Sequence, residues 1–128
     1  MAMREIKFRG LNRRNDQRWS GWHYGDLWIE RSGVCVGSYE VDPETVGQFT
    51  GLKDHKGHEI YEGDIVRFKL PPMVLTNEKT AVGAVVYEYG QFLVIIHAMR
   101  FTIFSVINDC TVIGNIHDNP ELLRLTKK

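Results

Sequence analysis

The stretch GQFTGLKDHKGHEIYEGDIVRF, residues 47–68, decides the fold predicted for this chain. Two strand-like runs, VGQFTGL and HEIYEGDIVRFKL, flank the polar pentapeptide KDHKG. In that pentapeptide Asp54 favours hydrogen bonds to nearby backbone amides, and Gly57 can adopt the positive φ of a tight turn. The stretch therefore predicts a β-hairpin with an exposed tip.

The second run of the hairpin has the period of a half-buried strand. Val66, Phe68 and Leu70 alternate with Arg67 and Lys69. Because successive side chains of a strand point to opposite faces, one face of this strand is predicted to be core and the other to face water. Two prolines follow and end the strand, since proline cannot donate to a β ladder.

Further strands are predicted on both sides of this stretch. REIKFRG alternates near the start, and AVGAVVYEY and QFLVIIHA are predicted to form a hairpin at Gly90. FTIFSVI and TVIGNI are predicted to form another across Asn108 and Asp109. Asp42 before Pro43 predicts a single helical turn with aspartate as its N-cap.

The predicted fold class is mainly β, with bent sheets or a small barrel and a short C-terminal helix. From Tyr61 to Ile116 the strand pattern resembles that of small SH3-like barrels, and Asn119 followed by Pro120 marks the start of the helix. We expect one domain over residues 1–128, made of a β region at about 1–57, a barrel-like region at about 58–116 and a helix at about 119–126.

Composition is that of an ordinary soluble globular protein. The 128 residues suit one domain, with 43% apolar and 25% charged residues. Sixteen basic and sixteen acidic residues cancel, which removes the broad electrostatic attraction used in non-specific binding to nucleic acid or membranes. A nucleic-acid role would need a local basic patch.

Charge is unevenly distributed along the chain. Residues 1–18 carry six basic and two acidic side chains, whereas residues 40–64 carry two basic and seven acidic ones. We expect the two segments to be neighbours in the fold or to meet between subunits.

The basic segment runs into a group of aromatic residues, and this combination is the best binding hypothesis. Nucleic-acid bases stack on exposed aromatic rings while arginines hold phosphates. Packing of the same rings into a core is the alternative, because aromatic side chains dominate small β cores. The candidate binding residues are Arg9, Arg13, Arg14, Trp19, Trp22 and Tyr24.

The turn DHKGHE has ligand types that suit a metal, since Asp54, His55, His58 and Glu59 lie within six residues. A stable site needs at least three converging ligands and a supporting shell, so a solvated turn is predicted instead, with neither metal nor cofactor. Asp64 is expected to accept backbone N–H bonds rather than act as an acid or base. Phosphate-binding glycine motifs and a nucleophile elbow are missing, so no catalytic residue is predicted.

Cys35 and Cys110 are far apart in sequence and outside any ligand spacing, so we expect small reduced core residues. The longest apolar run is too short for a membrane span, and no apolar signal-peptide core follows the basic N-terminus. The sequence therefore predicts a cytoplasmic protein that does not contact membranes.

Three motifs together resemble the YopX family of phage and prophage proteins. They are REIKFRG near the start, VDPETVGQFTGLKDHKGHEIYEGDIV in the middle and VIGNIHDNPELL near the end. The resemblance implies a small, largely β protein made from a bacteriophage or an integrated prophage in a bacterial cell. It supplies no functional residues.

We expect a non-enzymatic accessory protein that binds a host or phage macromolecule, protein or nucleic acid, through a β surface. Self-association into a homo-oligomer is also expected, given the balanced charge and exposed strand edges. One alternative is single-stranded nucleic-acid binding by the tryptophan- and arginine-rich segment. Another, of a different class, is a metal-dependent enzyme that uses the DHKGHE turn.

Overall fold

A computed structural model describes residues 4–13, 20–70 and 79–126, the last three by their backbone alone. Strands dominate these residues, which confirms the mainly β class. The chain divides into two compact units, Met1–Gly51 and Leu52–Lys128. The sequence analysis placed the boundary between its two β regions near residue 57, whereas the two compact units meet at residue 51. That the whole chain is a single domain stays a prediction.

The first unit contains short antiparallel strands in two sheets. Its complete strands are β1 (Phe8–Asn12), β2 (Gly21–Gly25), β3 (Leu27–Glu30), β4 (Gly33–Val36) and β5 (Tyr39–Val41). β1 pairs with β2 on one side and with the start of β6 (Gly47–Lys53) on the other. The second sheet has the order β3-β4-β5.

The two sheets of the first unit pack closely where β1 crosses β5. A Cβ at Gly10 would lie 2.6 Å from Cγ2 of Val41, which is 4% exposed. The rings of His23 on β2 and Tyr39 on β5 stack with centroids 4.2 Å apart. Glycine at position 10 is therefore required for this approach, because any side chain would overlap Val41.

A 3₁₀ turn, Pro43–Thr45, follows β5 where one helical turn was predicted. The predicted cap is wrong in its detail, since the Asp42 side chain makes no capping hydrogen bond. The Asp42 carbonyl instead accepts the hydroxyl of Thr45 at 2.6 Å, and the same hydroxyl oxygen accepts the N–H of Leu11 at 2.8 Å. The buried Thr45 thus joins the turn to β1.

The second unit is built on a five-stranded antiparallel sheet. After the end of β6 its strands are β7 (Glu59–Tyr61), β8 (Asp64–Lys69), β9 (Thr80–Glu88), β10 (Gln91–Ile96), β11 (Met99–Thr102) and β12 (Thr111–Asn115). The sheet order is β11-β10-β9-β8-β12, so β12, the last strand in sequence, pairs with β8, the first strand of this sheet. The predicted hairpin at Gly90 is confirmed, with positive φ at Tyr89 and Gly90 as a type I′ turn requires.

The core of the second unit lies on one face of this sheet. Val66 and Phe68 of β8 are buried, while Arg67 and Lys69 between and after them are exposed, as the alternation predicts. Further buried core residues come from β7, β9, β10, the helical segment and the position just before β12: Ile60, Ala81, Val85, Val94, Ile96, Ile103, Val106 and Cys110.

The predicted hairpin between FTIFSVI and TVIGNI is wrong. Residues Ile103–Val106 form a helical turn, α1, followed by a 3₁₀ turn, and β12 pairs with β8. Ile103 and Val106 are buried three positions apart, whereas Phe104 is 75% exposed, which is a helical spacing. The Ser105 hydroxyl also donates to the Thr102 carbonyl at 2.7 Å. Burial of the i, i+3 pair therefore overrides the β-branched composition.

The short C-terminal helix is confirmed as a 3₁₀ helix, Pro120–Thr126. Asn119 precedes it, but the Asn119 side-chain oxygen accepts the N–H of Asn115, at 3.3 Å, and the Asn119 carbonyl accepts the N–H of Leu122. In the described parts of the chain, no helix is long and apolar enough to cross a bilayer.

Candidate functional site

The predicted binding residues Arg9 and Trp22 pack against each other. The register pairs Arg9 with Tyr24 and Leu11 with Trp22, which places all four side chains on one face. The Arg9 guanidinium lies 4.7 Å from the Trp22 ring centroid, and Arg9 is only 6% exposed. A buried guanidinium on a half-buried indole stabilises the sheet, so for these two residues the packing alternative describes the arrangement.

A second cation–ring contact lies beside the first. Lys7 Nζ is 5.0 Å from the centroid of the Phe49 ring, and the Lys7 carbonyl accepts the N–H of Phe49 at 2.9 Å. Phe49 is 5% exposed. In both contacts a cation of the chain itself covers one face of the ring, which is unfavourable for base stacking on that face.

The remaining candidates are dispersed. Arg13 is exposed and forms ion pairs with Glu44 at 3.3 Å and Asp42 at 3.9 Å, which confirms that the basic and acidic segments are neighbours at this point. Tyr24 is 55% exposed. Arg14 and Trp19 lie outside the described residues.

The turn after β6 is organised by one buried carboxylate. Asp54 Oδ1 accepts the N–H groups of Lys56 and His58, each at 2.9 Å, and its Oδ2 accepts the N–H of Val112 at 3.0 Å. Gly57 has φ 87°, as the sequence predicts. The bond to Val112 ties the turn to β12, which the local pattern of the sequence did not indicate.

The hydrogen bonds of Asp54 also set its acidity. Burial by itself would raise the pKa of this carboxyl, but the backbone N–H groups of Val112, His58 and Lys56 together lower the pKa below its ordinary value. Asp54 is therefore an ionised structural acceptor at neutral pH, not a general acid.

The two histidines of the turn contact different side chains. His55 donates its N–H to the Cys110 carbonyl, and its ring Nε2 lies 2.9 Å from the hydroxyl oxygen of Thr111. The His58 Nδ1 is 3.6 Å from Asp54 Oδ2. Within the described residues, no three His, Cys, Asp or Glu side chains are placed to hold a metal ion.

Asp64 has the structural role predicted for it. Its Oδ2 accepts the N–H of Tyr61 at 2.7 Å, and Asp64 is 2% exposed. Burial, with the charges of Asp54 and Asp64 nearby, raises the pKa of Cys110 to about 12. Cys110 is thus the small reduced core residue that was predicted, while Cys35 is half-buried.

Exposed apolar side chains cluster in sequence on β2 and β3. Tyr24, Trp28 and Ile29 are 55%, 57% and 80% exposed. β2 is the outer strand beside β1, β3 is an outer strand of its own sheet, and Asp26 alone separates the two in sequence. Ile29 is exposed because β3 is an outer strand of its sheet, and the local sequence does not show where in a sheet a strand lies.

The chain is similar to known proteins over nearly its whole length. The model of the YopX protein family matches residues 5–124, which is nearly the whole chain. The chain belongs to the YopX family. The crystal structure of protein EF1440 from Enterococcus faecalis is similar to this YopX chain, with 28% sequence identity and a TM-score of 0.56. The likeness covers 94% of this chain and 99% of that one. The comparison with curated proteins found no match for this YopX chain.

Proposed function

We propose that this YopX protein is a non-enzymatic accessory protein of a phage or prophage, acting in the bacterial cytoplasm, that binds another protein through its first unit. Family membership supports the phage origin. The observation that carries the proposal is the pair of consecutive outer strands, β2 and β3, with Tyr24, Trp28 and Ile29 exposed on them.

Outer strands with apolar side chains are the surfaces that take up an added strand. The partner's backbone supplies hydrogen bonds, and exposed tryptophan and tyrosine act as anchors. Trp28 shares the outward face of its sheet with Glu30, because their positions differ by two, and with Glu40 across β4. A strand with apolar and basic side chains therefore fits this edge.

The test is affinity capture from phage-infected cells with nuclease-treated lysate. We expect the wild-type chain to retain one protein that Ile29→Lys and Trp28→Ala lose. Tyr89→Asn is the matched control, since Tyr89 is 88% exposed in the second unit and its positive φ suits asparagine. Retention of the same protein by all variants would refute binding at β3, and capture that disappears on nuclease treatment would favour nucleic acid instead.

Single-stranded nucleic acid on the N-terminal segment is the second candidate, favoured by the exposed ring of Tyr24, which lies opposite Arg9 in the register of β1 and β2. Salt-sensitive binding of labelled oligonucleotides that Tyr24→Ala weakens would support it. The metal-enzyme alternative predicts loss of activity in a His55→Ala, His58→Ala variant. Against it weighs that no three ligating side chains of the described residues are placed to hold a metal ion.

We also propose that the second unit is an SH3-like barrel. The return of β12 to β8 and the helical turn just before β12 support this. Self-association remains a proposal for the same β3 edge, which a mass measurement in solution tests.

A further inference from the structure

A cavity of about 280 Å³ opens on the second unit beside β8 and β12. Most of its lining side chains are cations or hydrogen-bond donors, and none belongs to β2 or β3. These side chains are His55, Arg67, Lys69, Thr80, Asn108 and Thr111.

The sheet register explains why these groups converge. Arg67 and Lys69 differ by two positions on β8, so both point to the outward face. Arg67 lies opposite Thr111 on β12, and Lys69 lies opposite Thr80 on β9. Each cation therefore has a hydroxyl as its direct cross-strand neighbour.

Among the described residues, no carboxylate forms an ion pair with either cation of the cavity, Arg67 or Lys69. By contrast, Arg100 pairs with Glu88 at 2.8 Å. Asp109 contributes the one carboxylate among the described lining residues. The lining is thus positive where β8 and β12 meet.

The histidine side of the cavity is held in place. His55 is anchored through its N–H to the Cys110 carbonyl, and its ring contacts the Thr111 hydroxyl at 2.9 Å. The adjacent Asp54 carboxylate fixes the same turn to Val112. The turn that resembled a metal site in sequence thereby forms one wall of a cavity in which cations predominate.

We propose that this cavity binds a phosphate group, carried either by a small phosphorylated molecule or by the backbone of a single-stranded nucleic acid. The guanidinium of Arg67 can bind two phosphate oxygens side by side, Lys69 adds a point charge, and the threonine hydroxyls donate. Asp109 suits a hydroxyl donor on the same ligand. The volume is below that of a drug-sized site, so it suits one phosphate and its immediate substituent.

The experiment is an amide NMR titration of the full chain with inorganic phosphate, uridine monophosphate and a single-stranded oligothymidylate. We expect saturable shifts of the Thr80, Asn108 and Thr111 amides. Arg67→Gln with Lys69→Gln should weaken the affinity at least about tenfold. The matched control, Arg4→Gln with Arg31→Gln, removes two exposed positive charges from the first unit and should leave the affinity unchanged.

Comparison of the three probes shows whether the ligand is a small phosphorylated molecule or a single-stranded nucleic acid. If the nucleic acid is the ligand, the oligothymidylate binds more tightly than the nucleotide, and the double variant lowers the salt slope by about 0.7, the value for one lost single-strand phosphate contact. Equal affinities for nucleotide and oligomer identify the small molecule. The proposal is overturned if no probe shifts these amides saturably in the wild-type chain, or if the control variant loses as much affinity. Failure here leaves binding at β3 untouched, since that surface belongs to the first unit.

Discussion

The carboxylate of Asp54 accepts a hydrogen bond at 3.0 Å from the backbone N–H of Val112, which lies 58 positions further along the chain. Together with the bond from the His55 N–H to the Cys110 carbonyl, it closes the turn after β6 onto the start of β12. One buried charge thus connects the beginning and the end of the second unit.

Asp54→Asn should destabilise the protein by about 2 kcal/mol, because a charged acceptor of three backbone bonds becomes a neutral one. The pKa of Asp54 is lowered in the folded chain, so its contribution is present above the unfolded value of about 3.9 and is lost as the pH falls through the folded value. Urea unfolding of the wild type and the variant between about pH 2 and 7 measures this contribution to the free energy of unfolding. The exposed Asp26→Asn is the control, and equal acid dependence in the wild type and Asp54→Asn would contradict the assignment.

Gly10→Ala should cost about 1–3 kcal/mol, because the new methyl group would lie 2.6 Å from Val41 Cγ2. Val41→Ala removes that group and creates space. In a double-mutant cycle measured by chemical denaturation, we expect the two changes together to cost less than their sum. Strict additivity would show that the sheets do not meet at this point.

Val106→Ala should destabilise the second unit by about 2 kcal/mol, whereas Phe104→Ser should change its stability by less than about 0.5 kcal/mol. Val106 is 3% exposed and Phe104 is 75% exposed. A strand would place both side chains on one face, so thermal unfolding of the two variants distinguishes the helical turn from the hairpin predicted by the sequence. Similar losses for both substitutions would favour the strand.

Alkylation of the native protein at pH 8 should modify Cys35 before Cys110. Burial raises the pKa of both thiols, to about 12 for Cys110, so only about one Cys110 in ten thousand is a thiolate at that pH. Cys110 is also 0% exposed. Mass spectrometry of peptides after timed iodoacetamide treatment measures the order, which should disappear in denaturant. Faster modification of Cys110 in the native state would show that the start of β12 opens.

Several local features were predictable because they depend on neighbours in sequence. The alternation around Phe68 predicted which face of β8 is buried, and Asp54 with Gly57 predicted the turn. Gly90 predicted the hairpin between β9 and β10. Such features follow from side-chain period and from the conformations that glycine and aspartate allow.

The candidate site was less predictable, because burial and pairing depend on distant residues. Nothing near Arg9 in sequence indicates that its guanidinium is buried on Trp22, and Ile29 differs from a core isoleucine only through its place on an outer strand.

By itself, the sequence determined the β class, the main turns, the alternation of β8 and the family, since each rests on residues close together or on motifs in order. The tertiary structure alone decided that β12 returns to β8, that Asp54 bonds to Val112 and that Arg67 and Lys69 face a shared cavity with Thr111. The physical reason is that a strand with a given local pattern can pair with many other strands. A buried charge must find hydrogen-bond donors and a core must be filled without voids, and few arrangements of the whole chain meet both requirements.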